Sequence, residues 1–182
     1  LEPEELARLL NGYLSAMSDI AFSAGATIDK FRGDGMMVFF GAPAPMEPQD
    51  GATACVHMAI EMCRTVAGLR RTWFNDGYDR DLGVRIGINT GYATVGEFGS
   101  AQRLDHTAIG TEVNLAARIE TACETDTILV SHATWALIRD SFPCTPQGHL
   151  QLKGIHRPVR AYRVEWQSGN GSSASPEGPL GS

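Results

Sequence analysis

The chain has 182 residues, 43% of them hydrophobic, and a formal net charge of −6. That is enough apolar content for one globular core, and the acidic balance disfavours non-specific binding to nucleic acid. No apolar run is long enough to cross a bilayer and no stretch reads as a signal peptide.

Glu2-Pro3-Glu4-Glu5 opens a first helix, with proline near the start and acids in the first turn. Leu6, Leu9, Leu10, Tyr13, Leu14, Met17, Ile20 and Ala21 follow helical spacing, and Gly25 ends it. Two strand-like runs then flank Arg32-Gly33-Asp34-Gly35, where Asp-Gly between apolar runs predicts a hairpin. Met36 to Phe40 is almost wholly apolar, which predicts a strand buried on both faces. A proline-rich loop, residues 42–48, leads to a second helix with Asp50 as N-cap candidate. That helix runs to about Trp73, with Arg70 and Arg71 placed to suit its dipole and Asn75-Asp76-Gly77 closing it.

Leu82 to Asn89 reads as a strand, Asn89-Thr90-Gly91 as its turn and Tyr92 to Phe98 as the returning strand. Arg103 to Ile109 is extended, and Gly110-Thr111-Glu112 starts a helix that reaches about Cys123. Thr127 to Val130 is a strand, and Ser131 caps a short helix carrying Trp135, Leu137 and Ile138. Two late strands fall around His149–Lys153 and Val159–Glu165. From Ser168 onward Gly, Ser and Pro dominate, which predicts a flexible tail, and Gly178 to Ser182 resembles a protease-site scar left by expression engineering. Together these elements predict an α+β sandwich with helices packed on a mostly antiparallel sheet. Cys55, Cys63, Cys123 and Cys144 show neither a CxxC pair nor metal-ligand spacing and read as buried small hydrophobes of a reduced, cytoplasmic protein.

Four segments are rich in chemistry. Asp34 at the hairpin tip is either a turn residue or a carboxylate on a stiff mount, able to bind a divalent cation, with Lys30 four residues earlier. Arg85 lies in a strand otherwise built for burial, as a salt-bridged strand end or a ligand-binding cation. Asn114 and Arg118 share a helix face, which is either solvated or placed to orient a sugar and clamp an anion. Lys153-Gly154, near a late strand, carries a lysine that is otherwise an ordinary surface residue. The glycines at 87, 91, 96 and 99 form neither a dinucleotide fingerprint nor a P-loop.

The order and spacing of Ile-Asp-Lys-Phe-Arg-Gly-Asp-Gly, Val-Arg-Ile-Gly-Ile-Asn-Thr-Gly, Thr-Ala-Ile-Gly-Thr-Glu-Val-Asn-Leu-Ala-Ala-Arg and Leu-Lys-Gly resemble the catalytic domain of class III nucleotidyl cyclases, most of all the bacterial adenylyl cyclases. The resemblance covers residues 1–166 as a cyclase domain of ferredoxin-like sandwich form and leaves 167–182 as tail. It implies a lyase of cyclic-AMP signalling that converts ATP to 3′,5′-cyclic AMP and pyrophosphate, with a catalytically silent regulatory or dimerisation module, or a guanylyl cyclase, as alternatives. It implies that Asp34 binds metal, that Lys30 and Thr107 read the base, that Asn114 orients the ribose, and that Arg118 stabilises charge on the α-phosphate. Arg85 and Lys153 would hold the outer phosphates. Two Mg²⁺ or Mn²⁺ ions per site, a homodimer with sites at its interface, no nucleic-acid partner and no direct membrane contact are further implications. Lysine can only donate, which suits N1 of adenine and not N1–H of guanine.

One departure stands out. The family's first metal aspartate lies in an Asp-Ile-x-Gly-Phe-Thr strand that these residues lack, and neither Asp19 nor Asp29 has such a motif around it. The sequence therefore reads as a shortened active cyclase, with one carboxylate in place of two.

Overall fold

The computed structural model describes residues 3–78 and 82–167; the predicted tail from Ser168 lies outside them. Helix α1 (Pro3–Ser23) packs on α2 (Pro48–Asn75), a helix of 28 residues. Both end in the same way. Gly25 (φ +78°) and Gly77 (φ +86°) take the left-handed conformation, and the residue after each glycine donates back to the helix, Ala26 to Ala21 at 3.0 Å and Tyr78 to Trp73 at 2.8 Å.

Between these helices lies the hairpin of β1 (Thr27–Arg32) and β2 (Gly35–Phe39), antiparallel with Arg32 opposite Gly35. The left-handed residue of its turn is Gly33 (φ +62°) and not Asp34, which is the pattern of a type II′ turn. Strand β2 is half-buried along its whole length instead of buried on both faces. Met36, Val38 and Phe40 enter the cluster between α1 and α2, and strand alternation turns Met37 and Phe39 to the face that these helices do not cover.

Four strands form the main ladder, β3 (Arg85–Ile88), β6 (Thr127–Ser131), β8 (Val159–Val164) and β7 (Cys144–Leu150), in that spatial order. Strands β3 and β6 are parallel and the other pairs antiparallel. The predicted hairpin between β3 and a returning strand does not form. Strand β4 (Thr94–Ser100) pairs instead with β5 (Arg103–Ile109) as a separate antiparallel arm, because the alternating Gly96-Glu97-Phe98-Gly99 segment matches β5 residue for residue. The expected mostly antiparallel sheet is thus divided into three ladders. The first late strand also begins earlier than expected, at Cys144, which leaves Lys153 in the turn after it.

Helix α2 is the spine of the core. Val56, Ala59 and Cys63 pack on β3, β6 and the short helix α4 (His132–Ile138), while Met58, Met62 and Val66 pack on α1 and the hairpin. The Ser131 hydroxyl caps α4 by accepting from the Thr134 amide at 3.3 Å. Asp50 does not cap α2; Glu47 holds that position, with Pro48 at the start of the helix. Arg70 serves the core and not the helix dipole, since α2 runs five residues beyond it. It donates to Asp126 at 2.6 Å and to the Leu82 carbonyl at 2.5 Å, and so ties α2 to the chain entering β3.

Candidate active site

Helix α3 (Thr111–Thr121) carries two of the expected site residues and is seated by backbone contact. A Cβ on Gly87 would meet the Ala116 carbonyl oxygen at 2.7 Å, so only glycine lets β3 pass this close beneath the helix. Ile119 is fully buried on the underside against Leu129 and Ala161. Asn89 donates to the Glu112 carbonyl and carboxylate and fixes the first turn. With its underside fixed, α3 turns Asn114 and Arg118 outward, one turn apart and both exposed.

A second group forms where β1 meets the arm. The register of β1 against β2 slips between Ile28 and Lys30, so Asp29 is the extra residue of a β-bulge. Regular alternation would send Asp29 and Lys30 to opposite faces. Here they lie side by side, with Lys30 Nζ 3.6 Å from Asp29 Oδ1. The Asp29 side chain is only 1% exposed. Its Oδ2 accepts from the Thr107 hydroxyl at 2.8 Å and from the Ala108 amide at 3.0 Å. Thr107 and Ala108 are the only buried residues of the β4–β5 arm, each 5% exposed. Lys30 and Thr107, 77 positions apart in sequence, thus converge on one carboxylate. Composition and spacing did not single out Asp29. The available signal was an acid beside a base inside a strand, a pair that alternation separates unless a bulge intervenes.

The remaining expected residues are more dispersed. Asp34 sits exposed at the hairpin tip and hydrogen-bonds to no described residue. Its charge reaches Tyr13 on α1, whose phenol is pushed up chiefly by burial and secondly by that carboxylate. Arg85 is the salt-bridged strand end, with its guanidinium 3.1 Å from Glu120 on α3. Lys153 is exposed in the turn after β7.

No group of three metal-ligating side chains exists among the described residues, so they do not build an all-protein cage for a cation. An exposed carboxylate free of protein donors is nonetheless the kind of ligand Mg²⁺ or Mn²⁺ takes when substrate phosphates and water complete its shell. Asp34 fits that description.

The profile of the adenylate and guanylate cyclase catalytic domain matches residues 1–165, and the chain belongs to this family. Domains of this family bind nucleotides and use divalent metal ions. Among solved structures, the adenylyl cyclase CyaB from P. aeruginosa superposes with a TM-score of 0.89 at 49% identity, over 91% of this chain and 84% of that one. The guanylyl cyclase Cya2 superposes with a TM-score of 0.83 at 35% identity, over 90% of this chain and 82% of that one. Adenylate cyclase 1 of Rhizobium meliloti (strain 1021) is 30% identical over 165 residues, 89% of this chain and 24% of that protein. The adenylate cyclase of Anabaena cylindrica is 37% identical over 129 residues, 66% of this chain and 23% of that protein. The chain therefore spans about a quarter of the length of these curated relatives. Because cyclases of both base specificities superpose, the fold leaves base choice to individual side chains.

Proposed function

We propose that residues 1–166 are the catalytic domain of an adenylyl cyclase that converts ATP to 3′,5′-cyclic AMP and pyrophosphate. The observation that carries this reading is the meeting of Lys30 and Thr107 at Asp29. A lysine offers donors only, and N1 of adenine accepts where N1–H of guanine donates. The 49% identity to an adenylyl cyclase structure supports the same choice.

In this reading the ribose 3′-oxygen attacks the α-phosphorus as its proton passes to solvent water, the bond from the α-phosphorus to the α–β bridging oxygen breaks, and pyrophosphate leaves. Asn114 holds the ribose so that the 3′-oxygen faces phosphorus, and Arg118 gathers the charge that develops on the α-phosphate. Lys153 holds an outer phosphate. Arg85 joins it by exchanging the Glu120 carboxylate for phosphate oxygen, a competition between two anions for one planar fork. Asp34, with the triphosphate, would hold the divalent cations, two Mg²⁺ or Mn²⁺ per site, and these when bound would supply charge neutralisation of the triphosphate and a lowered pKa for the 3′-hydroxyl.

The site is completed by a second copy of the chain, so that Asp34 of one protomer serves the nucleotide read by Lys30 and Thr107 of its partner. The apolar residues Tyr92, Leu104 and Ile109, exposed on and beside the β4–β5 arm, support a homodimer, since an arm of this kind gains burial only from a partner. No described helix is long and apolar enough to cross a membrane. A cytoplasmic domain without direct membrane or nucleic-acid contact is part of the proposal.

The test is cyclic nucleotide formation from ATP and from GTP with Mn²⁺. Cyclic AMP in excess is expected, with preference moving toward GTP in Lys30→Glu/Thr107→Cys. Equal use of both nucleotides by the unsubstituted chain would refute the assignment.

A further inference from the structure

Asp29 touches no part of the nucleotide in the chemistry above, yet its side chain, only 1% exposed, lies between the two base-reading residues. We propose that Asp29 is a specificity-determining positioning residue. By taking the only hydroxyl proton of Thr107 and holding Lys30 alongside, it presents the purine edge with one acceptor and one donor in the order adenine requires. This inference rests on the adenylyl cyclase reading.

The argument is one of hydrogen-bond polarity. A threonine hydroxyl by itself is ambidextrous, because its single proton rotates to suit either a donor or an acceptor. It could serve the 6-amino group of adenine and the 6-oxo group of guanine equally well. In this fold the rotor is set. Thr107 Oγ1 lies 2.8 Å from Asp29 Oδ2 and 3.4 Å from the Ala108 carbonyl, and the nearer, charged acceptor takes the proton. The Ala108 amide, 3.0 Å from the same Oδ2, fixes the carboxylate in turn. Only lone pairs of Thr107 then remain for a ligand. They accept from a 6-amino group and repel a 6-oxo group.

The other carboxylate oxygen completes the device. Asp29 Oδ1 is buried with no hydrogen-bond partner, and the ammonium of Lys30 stands 3.6 Å from it. A buried anionic oxygen left unpaired is costly, so it holds the ammonium on its own side of the strand. The Lys30 side chain is still 36% exposed, which leaves its remaining donors for the base. The bulge makes this geometry available, since it places Asp29 and Lys30 on one side of β1.

The experiment compares kcat/KM for ATP, GTP and purine riboside triphosphate, which lacks any 6-substituent, with Mn²⁺ throughout. It uses the whole chain and the variants Asp29→Ala, Asp29→Asn, Thr107→Val and Asp29→Ala/Thr107→Val. Freeing the Thr107 proton to donate to a 6-oxo group is expected to narrow the ATP-over-GTP ratio by about tenfold in Asp29→Ala, while the preference for ATP over purine riboside triphosphate holds, because the hydroxyl still accepts from a 6-amino group; Thr107→Val brings those two within about twofold. Asp29→Asn, whose carbonyl oxygen replaces Oδ2 as acceptor, is expected to keep the ATP-over-GTP ratio within about threefold, the remainder being the lost hold on Lys30. Adding Asp29→Ala to Thr107→Val is expected to change that ratio by no more than about threefold, because the hydroxyl is gone and only the hold on Lys30 remains.

An unchanged ATP-over-GTP ratio in a folded Asp29→Ala overturns the inference, as does an Asp29→Ala effect that persists undiminished in the Thr107→Val background. Should Asp29→Ala fail to fold, Asp29→Leu, which fills the buried site without an acceptor, decides: a narrowed ATP-over-GTP ratio upholds the inference and an unchanged one overturns it. An unsubstituted chain that prefers GTP overturns the adenylyl cyclase reading together with this inference, whereas an ATP-selective chain indifferent to Asp29 overturns this inference alone.

Discussion

The side-chain amide of Asn89, just past the end of β3, donates to both the carbonyl oxygen (3.1 Å) and the carboxylate Oε2 (2.8 Å) of Glu112 in the first turn of α3. The turn expected at residues 89–91 thus does not reverse the chain onto β3; it anchors the helix that carries Asn114 and Arg118. Asn89→Ala removes both bonds at once. A cost of about 1–2 kcal/mol is expected, or roughly 3–6 °C in Tm for a chain of this size. As Asn114 and Arg118 shift with the helix, kcat is expected to fall more than KM rises. Melting curves and steady-state kinetics on the same preparation check both; a drop in Tm with kinetics unchanged would remove Asn89 from the support of the site.

Gly87 tests the same helix from beneath. The groups that a Cβ at 87 would strike are α3 backbone, including the Ala116 carbonyl oxygen, and backbone cannot rotate away. Gly87→Ala is therefore expected to destabilise by about 1–3 kcal/mol, the range for overpacking. Gly68, half-buried on α2, has space for a Cβ, which would meet nothing within 4 Å, and Gly68→Ala is expected to hold or raise stability by up to about 1 kcal/mol. Urea unfolding of the two variants gives the comparison, and equal stability would contradict the close approach.

Arg118 is exposed and anchors nothing in the core, so Arg118→Ala should leave the melting temperature within about a degree, as for a surface change. In the proposed chemistry it meets charge that develops only at the transition state. Loss of roughly a hundredfold or more in kcat is expected, as for removal of an oxyanion-type donor. A change confined to KM would instead assign Arg118 to ground-state binding.

Asp34→Asn preserves the hairpin, because Gly33 and not Asp34 supplies the left-handed turn residue. Its effect should therefore appear in the metal dependence. The Mn²⁺ concentration needed for half-maximal rate is expected to rise at least about tenfold, the scale set by losing one carboxylate ligand. An unaltered Mn²⁺ titration would return Asp34 to a plain turn residue.

Much of the fold was legible because it follows from short-range rules. Proline and acids open α1, Gly25 and Gly77 close α1 and α2, and Ser131 caps α4. What was not legible depends on pairing across distance. Nothing local in Thr94–Ser100 says whether it joins β3 or β5, and the match is settled only by a partner seven residues long. Arg70 looked like a dipole partner because its true partner, Asp126, lies 56 positions away. The site followed the same division. For the proposed site, motif order singles out Lys30, Thr107, Asn114 and Arg118 as candidates, while Asp29 stands out only where the bulge places it against Thr107.

The cysteines supply a prediction in pH. All four are free thiols. Burial pushes the Cys55 thiol up to about 12. It does the same for Cys63, which is also pushed to about 12, with the charges of Asp126 and Cys123 adding to it. In the unfolded chain each returns to its ordinary value of about 8.5. A group whose value is raised by folding lends its stability in full below the unfolded value and loses it as pH rises toward the folded one. Stability is therefore expected to fall from about pH 8.5 toward pH 12, each thiol contributing up to about 1.4 kcal/mol per pH unit. Urea midpoints at pH 7.5 and pH 10 measure the slope. Cys55→Ala/Cys63→Ala lowers stability at both pH values through the lost side-chain volume but should reduce the difference between them, because two of the groups that burial raises are gone, while Cys123 and Cys144, also pushed up by burial, remain. At pH 8 the native thiols should also resist iodoacetamide, since only about one in ten thousand of a thiol near 12 is thiolate. Rapid alkylation of the buried Cys63 in the folded protein, or an identical pH slope in the double variant, would contradict the packing of these thiols along α2.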